Sequence, residues 1–225
     1  MATINNLEDA AADFLSTATI VETTQEGVAL ASNNGITAFV SNSNDVDLSQ
    51  PESDNVILNG NANIGVTGNA EANIIAANNG DNTINAGGGD DQVSTGAGND
   101  TISLGDGNDF VAVDGGGVKV IDGGAGNDAF VINAAADASD VSATTLTNLN
   151  RGDTVTVTVT DANGNGALDI DDVTIAASEN GSLTFTLGDG SLFTLDGVAV
   201  NSATDGAINY TVMDNGDGTY DVELS

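Results

Sequence analysis

The sequence lacks several residue types on which common protein chemistry depends. Its 225 residues include no cysteine, no histidine and no tryptophan, and only one proline. Without cysteine there is no disulfide framework and no thiolate zinc site, and without histidine there is no imidazole base. The serine–histidine and cysteine–histidine nucleophiles are therefore excluded. Any chemistry has to come from carboxylates, amides, hydroxyls and backbone oxygens.

Basic side chains are nearly absent as well. Lys119 and Arg151 stand against 34 Asp and Glu residues, which gives a formal charge of -32. Nucleic acid is a poor partner for such a chain, because phosphate binding needs several Lys or Arg residues. An anionic membrane surface is disfavoured for the same reason. No apolar run approaches the length that crossing a membrane requires, so we also expect no transmembrane helix.

The sequence is instead rich in aspartate, glycine and asparagine. It contains 27 Asp but only seven Glu, together with 29 Gly and 28 Asn. A hydrophobic fraction of 40% argues against a disordered acidic tail, and an aromatic fraction of 4% indicates a thin, aliphatic core. Short carboxylates beside glycine are typical of tight turns, and oxygen-rich turns bind calcium (Ca2+). The composition predicts a folded, β-rich protein whose charge a hard cation neutralises.

A nine-residue repeat occupies residues 55–132. Apolar residues recur at steps of nine or ten, at Ile64, Ile74, Ile84, Val93, Ile102, Val111, Val120 and Phe130. Between them lie GGGDDQV (87–93), GAGNDTI (96–102), GDGNDFV (105–111) and GAGNDAF (124–130), which share the pattern Gly-x-Gly-x-Asp-x-apolar. A weaker copy, NNGDNTI, precedes them at 78–84, and GGGVKV at 115–120 lacks the aspartate.

Nine residues suit a short strand followed by a glycine turn, because only glycine readily enters the backbone regions that such a turn visits. Two units then make one coil, and successive coils stack about 4.8 Å apart as parallel strands. Turns that are one coil apart should lie over one another, with room for calcium between them. The spacing places Asp91 next to Asp109 and Asn82 next to Asp100.

Two further stacking relations are less regular. Asp109 stacks with Asp128 if one residue is inserted, and we expect Asp122 to be that insertion. Asp100 should stack with Val118, so the site between these two turns is expected to be broken. The sequence thus predicts two or three good calcium sites and a weaker one, in which turn carbonyls complete the shell of each ion.

The four copies resemble the RTX, or hemolysin-type calcium-binding, nonapeptide repeat. The resemblance implies an all-β protein built on a parallel β-roll, which binds calcium at its turns and folds when calcium is added. It also implies export by type I secretion machinery that reads an uncleaved C-terminal signal. It implies that Asp91, Asp100, Asp109 and Asp128 bind calcium. The candidate metal-site residues also include Asn82, from the spacing, and the turn glycines Gly87, Gly89, Gly96, Gly98, Gly105, Gly107, Gly124 and Gly126. The alternative is a glycine-rich solenoid without metal.

The N-terminal segment, residues 1–54, has a mixed pattern. Helical spacing predicts a short helix near residues 6–17, and strands are predicted at 18–22, 28–31 and 36–40. The segment is either a cap over the end of the roll or a donor segment that pairs with a neighbouring molecule. Its first 30 residues contain no Lys or Arg and no long apolar stretch, so they do not resemble an N-terminal secretion signal.

Residues 133–150 are predicted to be a connector or an irregular strand, and residues 151–225 a C-terminal β module that includes the secretion signal. Strict alternation over 154–160 predicts a strand with Val155, Val157 and Val159 facing inward. Further strands are predicted at 183–187, 192–195 and 198–200, followed by a hairpin of 208–213 and 220–224.

The segment DANGNGALDIDD at 161–172 resembles an EF-hand or dockerin-type calcium loop. Its oxygen-bearing residues at the loop positions are Asp161, Asn163, Asn165, Asp169 and Asp172, and Gly166 allows the sharp turn. A strand rather than a helix precedes it, and its last position is Asp rather than a bidentate Glu. A plain acidic turn is the alternative.

These features predict a calcium-binding structural protein that lies outside the cell or on its surface. We expect it to fold and to associate with copies of itself on meeting extracellular calcium, as a surface-layer, biofilm-matrix or fibre component. The alternative is a calcium-dependent adhesin or carbohydrate-binding module, for which exposed aromatic residues are few and which a glycan array would identify. We do not expect an enzyme, because the aspartates stand where the metal loops require them.

Overall fold

A computed structural model describes residues 19–25, 28–33, 36–49, 54–133, 142–158, 174–177, 182–187, 190–196, 210–214 and 219–224. These residues form twenty strands and no helix. The strands are β1 Thr19–Gln25, β2 Val28–Asn33, β3 Ile36–Ser41, β4 Val46–Asp47, β5 Asn55–Leu58, β6 Gly65–Asn69, β7 Ile74–Ala76, β8 Thr83–Gly88, β9 Gln92–Ser94, β10 Asp100–Asp106, β11 Phe110–Val113, β12 Gly117–Asp122, β13 Ala129–Ile132, β14 Ser142–Thr147, β15 Thr154–Thr158, β16 Thr174–Ala177, β17 Leu183–Thr186, β18 Leu192–Leu195, β19 Tyr210–Asp214 and β20 Thr219–Leu224.

Two sheets run along the molecule and share one hydrophobic core. An eleven-stranded sheet has the order β1-β2-β3-β5-β7-β9-β11-β13-β15-β20-β19, and a nine-stranded sheet has the order β16-β17-β18-β14-β12-β10-β8-β6-β4. Through the repeat, consecutive strands alternate between the sheets, and each pairs in parallel with the strand of the next coil. The predicted all-β parallel β-roll is confirmed.

Each strand of the repeat buries at least one apolar residue in the core, and the equivalent residues of successive strands recur at almost regular steps. In the eleven-stranded sheet these residues are Val56, Ile75, Val93, Val111 and Phe130, and in the nine-stranded sheet Val66, Ile84, Ile102 and Ile121, none more than 2% exposed. Two predicted inward positions are wrong by one residue. Ile75 is buried in place of Ile74, and Ile121 in place of Val120, which is 41% exposed. Each pair offers two adjacent apolar residues, and only strand register decides which faces inward.

The extra residue of the longer coil lies in a bend, and Asp122 is not that residue. Ala112 pairs with Ser94, 18 residues earlier in the chain, whereas Asp122 pairs with Ser103, 19 residues earlier. The distance along the chain between paired residues is therefore one residue longer at Asp122. The longer step is already present at Lys119, which pairs with Asp100. The insertion therefore falls between Ala112 and Lys119, where a bend can absorb it without breaking the ladder.

The N-terminal strands continue the sheet of their own chain. β1, β2 and β3 form an antiparallel meander, and β3 then pairs in parallel with β5, with Phe39 opposite Val56. Phe39 is buried in the common core. The meander therefore extends the eleven-stranded sheet beyond the first coil of the repeat.

The strands after the repeat likewise extend both sheets. β14 lies in the predicted connector and pairs in parallel with β12, and β15 pairs in parallel with β13. Val155 and Val157 are buried, as predicted from the alternation. β20 and β19 add antiparallel strands to one sheet, while β18, β17 and β16 extend the other. Phe185 and Phe193 stack at this end of the core with ring centroids 4.2 Å apart.

Three predicted elements lie outside the described residues: the helix near 6–17, the loop 161–172 and the strand 198–200. Val159, the third predicted inward valine, lies outside them too. Of the elements in the described ranges, none is a helix of the length and apolarity that crossing a membrane requires.

Candidate metal centre

Glycine shapes the bends that join the strands of the roll. The eight predicted glycines all have a positive φ, namely Gly87, Gly89, Gly96, Gly98, Gly105, Gly107, Gly124 and Gly126. At Gly98, φ is +104° and a Cβ atom would lie 2.4 Å from the carbonyl oxygen of Gly80 in the preceding coil. Any other residue would be strained there and would collide with the neighbouring backbone. These glycines let the backbones of successive bends stack closely on one another.

A row of polar side chains lines the bends that lead into the eleven-stranded sheet. This row, called row A below, consists of Asn73, Asp91, Asp109, Asp128 and Asp153. Oδ1 of each aspartate accepts a hydrogen bond from the backbone N–H of the row member before it, with N–O distances of 2.7–3.0 Å. The structure therefore places Asp91 next to Asp109 and Asp109 next to Asp128, as the spacing predicts.

The second carboxylate oxygen of three row A members has no hydrogen-bond partner. These atoms are Oδ2 of Asp91, Asp109 and Asp128, and the three residues are at most 2% exposed. Burial raises the pKa of Asp91 to about 7 and that of Asp128 to about 6, and it also raises the pKa of Asp109. The backbone N–H groups at Oδ1 oppose these shifts only in part. A buried carboxylate without a counter-charge is costly, so each of these oxygens is suited to a cation.

The donor set favours a hard cation over a softer metal. The described residues nowhere bring three or more Asp or Glu side chains together at one point, so the other oxygens at a bend are backbone carbonyls. Calcium accepts mixed carboxylate and carbonyl shells of six to eight oxygens, and it does not need nitrogen or sulfur ligands. The residues at the row A bends therefore fit calcium.

A second row lines the bends that lead into the nine-stranded sheet. This row, called row B below, consists of Asn82, Asp100 and Lys119. Oδ1 of Asp100 accepts a hydrogen bond from the backbone N–H of Asn82 at 2.9 Å. The predicted stacking of Asp100 with Val118 is wrong, because Asp100 pairs with Lys119 and Val118 is 51% exposed. The one-residue insertion in the preceding bend explains the shift.

The ammonium group of Lys119 lies inside its bend. Nζ lies 3.4 Å from Oδ2 of Asp100, and both side chains are completely buried. Nζ also donates hydrogen bonds to the carbonyl oxygens of Gly98 and Gly116, both at 2.8 Å. Burial raises the pKa of Asp100, and the N–H of Asn82 and the charge of Lys119 counteract this rise.

Asn82, the remaining predicted row B ligand, uses both ends of its amide within the protein. Its Oδ1 accepts a hydrogen bond from the backbone N–H of Ile64 at 3.2 Å. Its Nδ2 donates to the carbonyl oxygen of Gly80 at 2.8 Å and to Oδ1 of Asn78 at 2.9 Å. The amide N–H of Asn82 thus contacts the carbonyl oxygen of Gly80. This oxygen is equivalent to the carbonyl oxygen of Gly98, one coil later, which Lys119 contacts.

Sequence reasoning missed Asp153 and the role of Lys119. Asp153 is fully buried, and its Oδ2 accepts a hydrogen bond from the backbone N–H of Asn150. A signal existed, because Asp153 stands two residues before buried Val155, just as Lys119 stands two before buried Ile121. Asp153 was not recognised because it lies 25 residues after Asp128, whereas the repeat predicts a step of about 18. Lys119 was not recognised because it is basic where the intact copies have aspartate.

The five predicted ligands of the second calcium loop, Asp161, Asn163, Asn165, Asp169 and Asp172, lie outside the described residues. The loop stays a prediction.

Comparison with known proteins adds one family match. Residues 67–102, 93–117 and 120–132 match the RTX calcium-binding nonapeptide repeat, in four copies. No curated protein matches the sequence. Among solved structures, the chain is similar to the crystal structure of extracellular lipase LipA from Serratia marcescens, with 12% sequence identity and a TM-score of 0.29. That match covers 71% of this chain and spans 41% of the lipase chain.

Proposed function

Because the chain carries four copies of the RTX calcium-binding nonapeptide repeat, we propose that it is a secreted structural protein that folds around calcium ions and then associates with copies of itself. The observation that carries the proposal is the set of buried, unpartnered Oδ2 atoms of Asp91, Asp109 and Asp128. A calcium ion at each of these oxygens would neutralise a charge that is otherwise costly to bury. Three ions are thus assigned to row A.

The bend at Lys119 indicates which oxygens would hold an ion at row A. There a protein cation already contacts a carboxylate oxygen of Asp100 and the carbonyl oxygens of Gly98 and Gly116. The same bend carries a backbone hydrogen bond from the N–H of Gly98 to the carbonyl of Gly116, at 3.0 Å. This hydrogen bond is a marker that can be sought at the other bends.

Two row A bends have the same backbone hydrogen bond. The N–H of Gly89 donates to the carbonyl of Asp106, and the N–H of Gly107 donates to that of Ala125, both at 2.8 Å. The equivalent oxygens are Oδ2 of Asp91 with the carbonyls of Gly89 and Asp106, and Oδ2 of Asp109 with the carbonyls of Gly107 and Ala125. Further carbonyls and water would complete the six to eight ligands of calcium. The third ion belongs to Asp128, in the bend that it shares with Asp153.

The charge of the chain supports folding outside the cell. A net charge of -32 opposes compaction and keeps free molecules apart over about a Debye length, ~8 Å at physiological salt. Calcium bound at the bends would lower this repulsion and offset the burial of the carboxylates in the same step. Export of an unfolded chain by a type I system, which the repeats imply, would delay both events until calcium is plentiful.

The ends of the two sheets supply surfaces for association. In the described part of the chain, β1 and β19 end the eleven-stranded sheet, and β4 and β16 end the nine-stranded one. An edge strand presents backbone N–H and carbonyl groups that another chain can pair with. Pairing of such edges would join copies end to end, which is consistent with a surface-layer, biofilm-matrix or fibre component.

A calcium titration of the purified protein tests the proposal. Circular dichroism should report a gain of β structure on addition of calcium, and sedimentation and electron micrographs should report assemblies. Sodium chloride at matched ionic strength is the control, because it screens charge without filling the bends. Protein that is equally folded in calcium and in chelator would overturn the calcium-folding part. Protein that folds with calcium but stays monomeric would overturn the association part alone.

A further inference from the structure

Lys119 is an unusual residue to find in the interior of this protein. It is one of two basic residues in a chain with a net charge of -32, and its side chain is 0% exposed. On the surface, its ammonium group would lie near many carboxylates and would remain hydrated. It would therefore avoid the desolvation cost that burial imposes. Burying a lysine is costly unless its charge is paired and its three N–H donors find acceptors. The fold must therefore supply strong compensation at this position.

The bend supplies two hydrogen-bond acceptors and a counter-charge for the ammonium group. The acceptors are the carbonyl oxygens of Gly98 and Gly116 at 2.8 Å, and Oδ2 of Asp100, 3.4 Å from Nζ, forms an ion pair with it rather than a hydrogen bond. The carboxylate is the counter-charge, and the two carbonyls are oriented towards the ammonium group by the bend itself. A cation in a cage of one carboxylate and several carbonyl oxygens is also what a calcium-binding bend provides.

The backbone of this bend has kept the geometry of the intact repeats. The segment from Gly115 to Ile121 has the pattern Gly-x-Gly-x-Lys-x-apolar, with lysine where the intact copies have aspartate. The φ angles of Gly115 and Gly117 are +67° and +104°, against +64° and +104° at Gly96 and Gly98 in the preceding coil. From Gly115 onward, beyond the inserted residue, the principal difference from the intact copies is therefore the charge of one side chain.

We propose that the Lys119 ammonium is a tethered replacement for a calcium ion, and that row B therefore binds no calcium in the repeat. The inference rests on the proposed function, which assigns calcium to row A. At the bend of Asp100, the position for a cation is filled by Nζ. At the bend before it, Asn82 has an amide N–H in place of a carboxylate oxygen and satisfies the carbonyl of Gly80 itself.

The two rows of bends then differ in whether they need calcium. Row A would hold its coils together only when calcium is present, whereas row B carries its own hydrogen-bond donors and its own cation. β10 and β12, which Asp100 and Lys119 join, are neighbours within the nine-stranded sheet. The row B bends would need no ion, and the nine-stranded side of these coils would form before calcium orders the row A bends.

Counting the calcium ions bound per chain by equilibrium dialysis tests this assignment. Asp100→Asn should bind as many ions as the unmodified protein, whereas the matched change Asp91→Asn in row A should bind one fewer. Lys119→Asp recreates the intact repeat pattern and should bind one more. Circular dichroism in the same samples establishes that each variant is folded.

Each outcome has a defined meaning. Loss of one ion in Asp100→Asn, or no additional ion in folded Lys119→Asp, would overturn the inference and leave the proposed function standing. If Lys119→Asp does not fold, the comparison of Asp100→Asn with Asp91→Asn decides the matter. An unmodified protein that binds no calcium would overturn the proposed function, and the inference with it.

Discussion

Replacing Asp91 by asparagine should change the stability of the protein in opposite directions with and without calcium. The side chain is 1% exposed, its Oδ1 accepts the N–H of Asn73 at 2.7 Å and its Oδ2 has no partner. Asparagine keeps the oxygen that accepts this hydrogen bond and removes the charge. The native roll already accommodates asparagine at the equivalent place in row B, at Asn82, so the change should not disturb the bend.

The magnitude without calcium follows from the burial of the charge. Burial raises the pKa of Asp91 from the ordinary value of 3.8 to about 7. At about pH 8 the ionised group therefore opposes folding by about 4 kcal/mol before solvent screening, and by about half of that once screening is included. Asp91→Asn removes this cost. Without calcium the variant should therefore be more stable than the unmodified protein by about 2 kcal/mol, which is the screened value.

The sign reverses when calcium is present. An ion bound at a hundredfold excess over its dissociation constant stabilises the folded state by about 2.7 kcal/mol, and Asp91→Asn forfeits that ion. Urea denaturation followed by circular dichroism, in chelator and in saturating calcium, measures both effects. Glu71→Gln is the control, because it removes the charge of an exposed carboxylate in the same roll that is not assigned to an ion. A variant that is less stable than the unmodified protein in chelator, or equally stable in calcium, would refute the reasoning.

The calcium-free protein should be more stable in acid than at neutral pH. Because burial raises the pKa values of Asp91 and Asp128 to about 7 and about 6, their contribution to stability is complete below 3.8 and is lost as the pH rises through these two values. Urea denaturation in chelator across this range should show the loss, and saturating calcium should abolish it; a flat profile in chelator would contradict the assignment. Gly98→Ala should cost about 2 kcal/mol or more, because φ is +104° and the new Cβ would lie 2.4 Å from a carbonyl oxygen. Gly88→Ala, whose Cβ would meet nothing closer than 3.6 Å, should change the urea midpoint little.

Much of the fold could be predicted because each repeat unit contains, within about nine consecutive residues, the residues that determine its own structure. The pattern from Gly96 to Ile102 contains the bend glycines, the aspartate and the inward apolar residue of one unit, so a single copy already encodes its own shape. Stacking then follows from repetition. For this reason the β-roll and the pairing of Asp91 with Asp109 were predicted correctly.

Register could not be predicted where the repeat is irregular. Val120 and Ile121 are both apolar, and a shift of one residue exchanges the inward and outward faces of a strand. The choice depends on hydrogen bonds to β10 in the preceding coil, and on where the bend absorbs its extra residue. The predicted insertion at Asp122 and the predicted stacking on Val118 failed together, because both followed from the same register.

The sequence by itself determined that this chain is an aspartate- and glycine-rich parallel roll with calcium-binding repeats, since each unit carries its own turn chemistry. Only the tertiary structure decided what lies at each bend. It placed the ammonium of Lys119 against Asp100 and completed row A with Asp153, 25 residues beyond Asp128. The physical reason is that a cation position is formed by oxygens from two coils, and no segment of sequence contains both.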